Sequence, residues 1–158
     1  MTGIELDVVR ETARRILHEG HDAMRGIVAD LDAEALDWRP GADTNSIAAL
    51  VAHSLDAERF LVTTAAGIEI QRDRDAQFRV RAAGSDVLLA LIDQLEAEVE
   101  GYLADLTADR LTMQIARPGR IHDGLWWLLH ALEHSREHIG QAMLTRQLHE
   151  QRSGAPAR

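Results

Sequence analysis

Hydrophobic positions recur along this chain at the three-to-four-residue spacing of amphipathic helices, and no stretch alternates long enough to predict a strand. The first helical segment runs from about Ile4 to Leu31, with Leu6, Val9, Ala13, Ile16, Leu17, Met24, Ile27 and Leu31 along one side. It stops before Trp38-Arg39-Pro40-Gly41, where proline and glycine mark a turn. A second helix is predicted from the cap-forming cluster Asp43-Thr44-Asn45-Ser46 to about Ala66, its core side carrying Ile47, Leu50, Val51, Ser54, Leu61 and Ala65. The third spans Ser85 to about Leu106, with the stripe Leu88, Leu91, Ile92, Leu95, Val99, Tyr102 and Leu106. A loop through Pro118-Gly119 leads to the fourth, about His122 to Gln151.

Residues 67–84 form a connector that is long for a bundle, with the charged run Gln71-Arg72-Asp73-Arg74-Asp75. It is expected to carry function or a short extra element, and Arg72, Arg74 and Phe78 are its candidates to close over a site. Four helices with one short, one long and one medium connection predict an all-α fold: a four-helix bundle over residues 1–151, then a disordered tail at 152–158. Around Leu125 to Leu132 the fourth helix is apolar on nearly every side, Trp126 and Trp127 included. Such a helix needs two surfaces to bury against, and a second subunit is the expected second surface, giving a homodimer.

Composition narrows the chemistry. A chain of 158 residues fits one domain. Its 17 basic residues against 26 acidic ones leave a net charge of −9, which argues against nucleic acid as a partner. Cysteine is absent and every basic residue is arginine. Disulfides, thiolate metal sites, iron–sulfur clusters and a cysteine nucleophile are therefore excluded, as are Schiff-base chemistry and a Walker-type lysine. The segment Met1–Arg10 carries Glu5 and Asp7, unlike a signal peptide, and no apolar run approaches the roughly 20 residues that span a bilayer. The expectation is a soluble cytoplasmic protein with no membrane partner.

Against these absences stand eight histidines. His130, His134 and His138 fall at i, i+4 and i+8, within about 80° of arc on one helix, bordered by the small residues Ala131, Ser135 and Ala142. Chance predicts about 0.02 such triplets in a chain of this composition, so the spacing, more than the surplus, points to a site. Imidazoles at i and i+4 reach one cation at roughly 2.0–2.1 Å, and a firm site needs a third ligand from another helix. His53, flanking the core face of the second helix between Ala49, Ala57 and Phe60, is the candidate. Three nitrogen ligands leave coordination open for water or substrate, as in a catalytic site. The other histidines read differently: His18 and His149 as solvated, His21 as a satisfied core residue. Glu58, near the centre of an apolar face, is expected to pair with an arginine or with a histidine that backs the metal site, and a simple charge pair within the bundle is favoured.

The string Trp38-Arg39-Pro40, then Asn45-Ser46-Ile47-Ala48-Ala49-Leu50-Val51-Ala52-His53, then His134-x-x-x-His138-x-Gly140-Gln141 resembles the DinB-like (YfiT-like) metalloenzyme superfamily from about Arg10 to Gln147. The resemblance implies a four-helix bundle, commonly dimeric, with His53, His134 and His138 binding a divalent metal such as zinc or nickel. It also implies either hydrolysis or transfer to a low-molecular-weight thiol, acting on a small-molecule substrate. The second domain of the mycothiol-dependent isomerases is missing, which weighs against that branch.

In a mechanism of this type the metal activates water or a thiol. His130 is the candidate proton shuttle or anion ligand, and Gln141 the candidate for orienting a ligand or water. Glu133 and Glu137 point about 100° away from the histidines they precede and make poor general bases. Two rival readings remain at this level: a non-catalytic metal- or ligand-binding stress or sensor bundle, and a helical dimerisation module.

Overall fold

The computed structural model describes residues 3–154. Its long helices are α1 (Gly3–Val28), α3 (Ile47–Ala66), α5 (Ser85–Ala104) and α7 (Gly124–Ser153), the four expected from the periodicity. Three short helices, α2 (Ala33–Asp37), α4 (Arg74–Gln77) and α6 (Ala108–Thr112), lie in the connections. A two-stranded hairpin, β1 (Gln114–Arg117) and β2 (Arg120–Asp123), precedes α7. The fold is thus all-α apart from that hairpin, which the sequence pattern did not predict.

Capping fixes most helix starts. The side chains of Asp32, Ser46, Thr107 and Asp123 accept from the backbone N–H of Ala35, Ala49, Arg110 and Trp126, each three residues on. The last turn of α1 is capped from outside, because Arg146 of α7 donates to the carbonyls of Gly26, Ile27 and Ala29 at 2.9, 2.8 and 3.3 Å. At the end of α3, Gly67 takes φ +78°, and a Cβ there would clash with the Arg110 guanidinium.

In the bundle α1 packs against α5 and α7, and α3 packs against the same two helices. Leu17, Met24, Leu50, Leu88, Ile92, Leu95 and Leu128 share the core between them. The helix α3 is buried from Ile47 through Leu55 without a break, so it behaves as a central element enclosed on several sides. Its alanines at 48, 49, 52 and 57 let neighbouring backbones approach closely.

Several details differ from the sequence reading. Asp30 takes φ +61° just beyond α1, so the first helix ends before Leu31. Leu91 is 39 % exposed although it was placed in the core stripe, and Leu103 is fully buried instead. His122 belongs to β2, with Asp123 capping α7. Arg152 and Ser153, assigned to the tail, continue α7 up to Gly154; the tail residues 155–158 lie outside the described residues. No described helix is long and apolar enough to cross a membrane.

Candidate metal centre

The site is assembled by two helices, α3 and α7, which pack along each other. Ser46 sets the start of α3, and two turns later His53 faces α7, only 2 % exposed. On α7, His134 and His138 lie one turn apart and half-buried, between the core positions Ala131, Ser135, Ile139 and Ala142. One ring nitrogen of each of His53, His134 and His138 falls within 4.8 Å of the others. Ring centroids are 5.2 Å apart for His53–His134, 4.8 Å for His53–His138 and 4.5 Å for His134–His138.

The donor chemistry fits a dication. His134 is held neutral, its pKa pushed down to about 3, first by burial and then by the charges of His138, His53, His130 and Arg72. Among the described residues its buried Nδ1 has no hydrogen-bond partner, a costly condition that binding a cation would relieve. His138 Nδ1 donates to Gln141 Oε1 at 2.9 Å, and Gln141 Nε2 donates in turn to Glu137 Oε1 at 3.2 Å. That chain holds the His138 tautomer with the lone pair on Nε2, the orientation a metal ligand needs.

A cavity of about 920 Å³ opens beside His53 and His134. Ala57, Phe60, Leu61, Ile68 and Trp127 give it apolar walls. Three arginines, Arg72, Arg117 and Arg120, add positive charge. The connector supplies part of this enclosure. Arg72 pairs with Asp56 and sits 5.3 Å from the Phe60 ring, while Phe78 stacks on His53 at 4.4 Å between centroids. The side chain of Arg74 lies outside the described residues.

The remaining histidines sort by position. His130 lines the cavity but stands apart from the three-histidine cluster, its ring 5.9 Å from that of His134. Its Nε2 accepts from Arg120 at 3.1 Å and its Nδ1 donates to Glu133 at 3.3 Å. Gln141 faces a separate depression bordered by Pro40, Thr44 and Leu50, so its contact with the site runs through His138. His18 bridges Glu96 and Glu100 at the surface, and His149 packs edge-on against Trp38. His21 is 1 % exposed with Nε2 2.8 Å from Glu58 Oε1, while Ser135 donates to Glu58 Oε2 at 2.9 Å. Glu58 therefore pairs with a histidine and a serine, not an arginine. Sequence reasoning missed Arg117, Arg120 and Ser135; only the Pro118-Gly119 turn between the two arginines gave a visible signal.

Comparison with known proteins places the fold. The chain is similar to a DinB-like protein from Bacillus subtilis (TM-score 0.71, 14 % identity, 92 % of this chain and 94 % of that one). It is also similar to a conserved protein from Enterococcus faecalis (TM-score 0.73, 15 % identity, 87 % and 95 %). A DinB family member from Shewanella denitrificans aligns over 99 % of this chain and 89 % of its own at 20 % identity, with a TM-score of 0.58. At these identities the likeness shows a shared fold. No curated relative matches the sequence significantly. The DinB superfamily model matches residues 16–142, a span that includes all three clustered histidines. The chain belongs to the DinB superfamily.

Proposed function

We propose that this protein is a metalloenzyme in which His53, His134 and His138 hold a divalent ion, zinc or nickel, with coordination open to a water or a small thiol. The observation that carries the reading is the meeting of three imidazoles at the wall of a 920 Å³ cavity. A purely structural metal is closed off by its ligands, whereas a catalytic one faces space that a substrate can enter. Neutral imidazoles leave a dication's charge uncompensated, and when bound it acidifies a water or thiol toward neutral pH. The chain's own residues do the rest. Gln141 fixes the His138 ring, Phe78 covers one face of the His53 ring, and the Phe60, Leu61 and Trp127 walls exclude water from the reacting end. His130, held between Arg120 and Glu133, is placed to receive a proton or to contact an anion in the cavity.

Metal analysis of protein purified without a histidine tag tests the proposal. About one equivalent of zinc or nickel, or a rise in melting temperature on adding either, is expected. Absence of both overturns it. Cobalt substitution then tests the thiol branch: cobalt absorption left unchanged by several cellular thiols argues against transfer to a thiol. A Gln141→Ala variant is expected to bind zinc about 10- to 100-fold more weakly, since His138 loses its acceptor.

The second surface required by α7 supports a homodimer. Leu125, Leu129, Met143, Leu144 and Leu148 are 36, 54, 44, 56 and 37 % exposed along that helix, apolar positions that a second subunit would cover. Light scattering coupled to size exclusion is expected to give twice the chain mass of 17.5 kDa.

A further inference from the structure

The cavity beside the three histidines carries a charge that the molecule as a whole does not. The chain has a net charge of −9, yet the described residues lining the cavity include three arginines and a single carboxylate, Glu69. The arginines are not equivalent. Arg72 is neutralised by Asp56 and laid over Phe60. Among the described residues Arg117 and Arg120 have no carboxylate partner: Arg117 donates to the Ala116 carbonyl at 3.1 Å, and Arg120 donates to His130 Nε2. Neither acceptor is a carboxylate, so neither guanidinium is paired with an acidic side chain among the described residues.

Their placement follows from the hairpin register. Arg117 of β1 is paired directly with Arg120 of β2 across the Pro118-Gly119 turn, whose Gly119 takes φ +78°. Alternation along each strand puts both arginines on the same face of the hairpin as Ile115, which is buried and whose carbonyl accepts from Trp127 Nε1. Ile115 anchors that face to the bundle, with Arg117 half-buried and Arg120 exposed at the cavity's edge. Like charges directly opposite on two strands repel and weaken the pairing. An anion seated between the two guanidinium groups removes the repulsion and accepts the planar fork of donors that arginine presents to a carboxylate.

We infer that the cavity's substrate is a small molecule with an apolar body and a carboxylate end, docked with its carboxylate on Arg117 and Arg120 and its reacting group toward His53, His134 and His138. The inference deepens the metalloenzyme reading and rests on it for the word substrate. Distances along α7 support the span: His130 contacts Arg120 at one end and lies one turn, about 6 Å of rise, from His134 at the other. Phe60, Leu61, Ile68 and Trp127 line the same cavity and offer walls for the apolar body.

Titration calorimetry on the full chain tests the inference with three probes of one shape: 4-phenylbutyrate, 4-phenylbutanol and 4-phenylbutylamine. Each is measured on zinc-loaded and on metal-free protein. The carboxylate is expected to bind about 10-fold or more tightly than the alcohol in both states, with the amine weakest, because the charge-assisted bonds come from arginines and not from the metal. Arg117→Gln/Arg120→Gln is expected to bring acid and alcohol within about twofold, with zinc content unchanged. Arg81→Gln, whose parent side chain faces Asp37 outside the cavity, is expected to keep the preference. Equal binding of acid and alcohol, no detectable binding of the acid, or a preference that survives in the double variant overturns the inference. A protein that binds no metal but keeps the arginine-dependent preference overturns the metal reading and leaves the anion subsite standing; the converse result does the opposite.

Discussion

A His138→Ala variant is expected to lose zinc affinity by more than the roughly 100-fold that removal of an outer-shell partner costs, while its helical content stays that of the parent. Three imidazole nitrogens are the whole of the described donor cluster, and the two that remain, from His53 on α3 and His134 on α7, do not make a firm site without the third. The helix does not depend on this residue. His138 is half-buried, its neighbours Ile139 and Ala142 supply the core contacts, and alanine has the highest helix propensity. His53→Ala would be a poorer test, because His53 is 2 % exposed and stacked on Phe78, so its removal also leaves a hole. His130→Ala is the matched control: it removes a cavity histidine that stands outside the cluster, and zinc affinity is expected to hold. Competition against a chromophoric chelator, with far-ultraviolet circular dichroism on the same samples, reads both quantities. Unchanged zinc affinity in His138→Ala would sink the ligand assignment.

The part of this site that lies on α7 was legible because a histidine pair at i and i+4 is itself a periodic signal, read the same way as a hydrophobic stripe. The four long helices were legible for the same reason, and so was the start of α3 at Ser46, where a cap-forming side chain directly precedes the apolar run. Juxtaposition across the fold was another matter. Nothing in the local sequence states that His53 faces α7 instead of α1; His53 was a candidate because a firm site needs a third ligand from another helix, and the family resemblance then pointed to the same three residues. The hairpin escaped notice because its strands are four residues each and only Ile115 is buried, too short for alternation to register. With the hairpin unread, Arg117 and Arg120 looked like loop charges; only register turns them into a facing pair. Leu91 was assigned to the core on spacing alone, which fixes a helix face but not how far the neighbouring helix reaches across it.

Glu58 shows most directly how a local anomaly becomes a long-range constraint, and it yields the second large effect. His21→Ala is expected to destabilise the protein by about 3–5 kcal/mol, the cost of leaving one member of a buried pair without the other. Both side chains are 1 % exposed, and with Ser135 they tie α1, α3 and α7 together. The pair also gives stability a pH dependence. Burial disfavours protonated His21, but the hydrogen bond and charge of Glu58, helped by Glu96 and opposed by Arg25, outweigh it and raise its pKa above the ordinary 6.5. A group raised in the folded state binds its proton more tightly there than in the unfolded chain. Its stabilising contribution is therefore complete below about pH 6.5, the unfolded value, and disappears as pH climbs through the folded one. Glu58→Gln keeps the volume and the hydrogen-bonding reach but removes the charge that raises His21. The gap in unfolding free energy between the parent and Glu58→Gln is thus expected to be widest in mildly acidic solution and to narrow on the alkaline side. Urea titrations at about pH 6 and about pH 9 measure it, and a gap that stays constant or widens between them would mean that His21 does not exchange its proton with the pair intact.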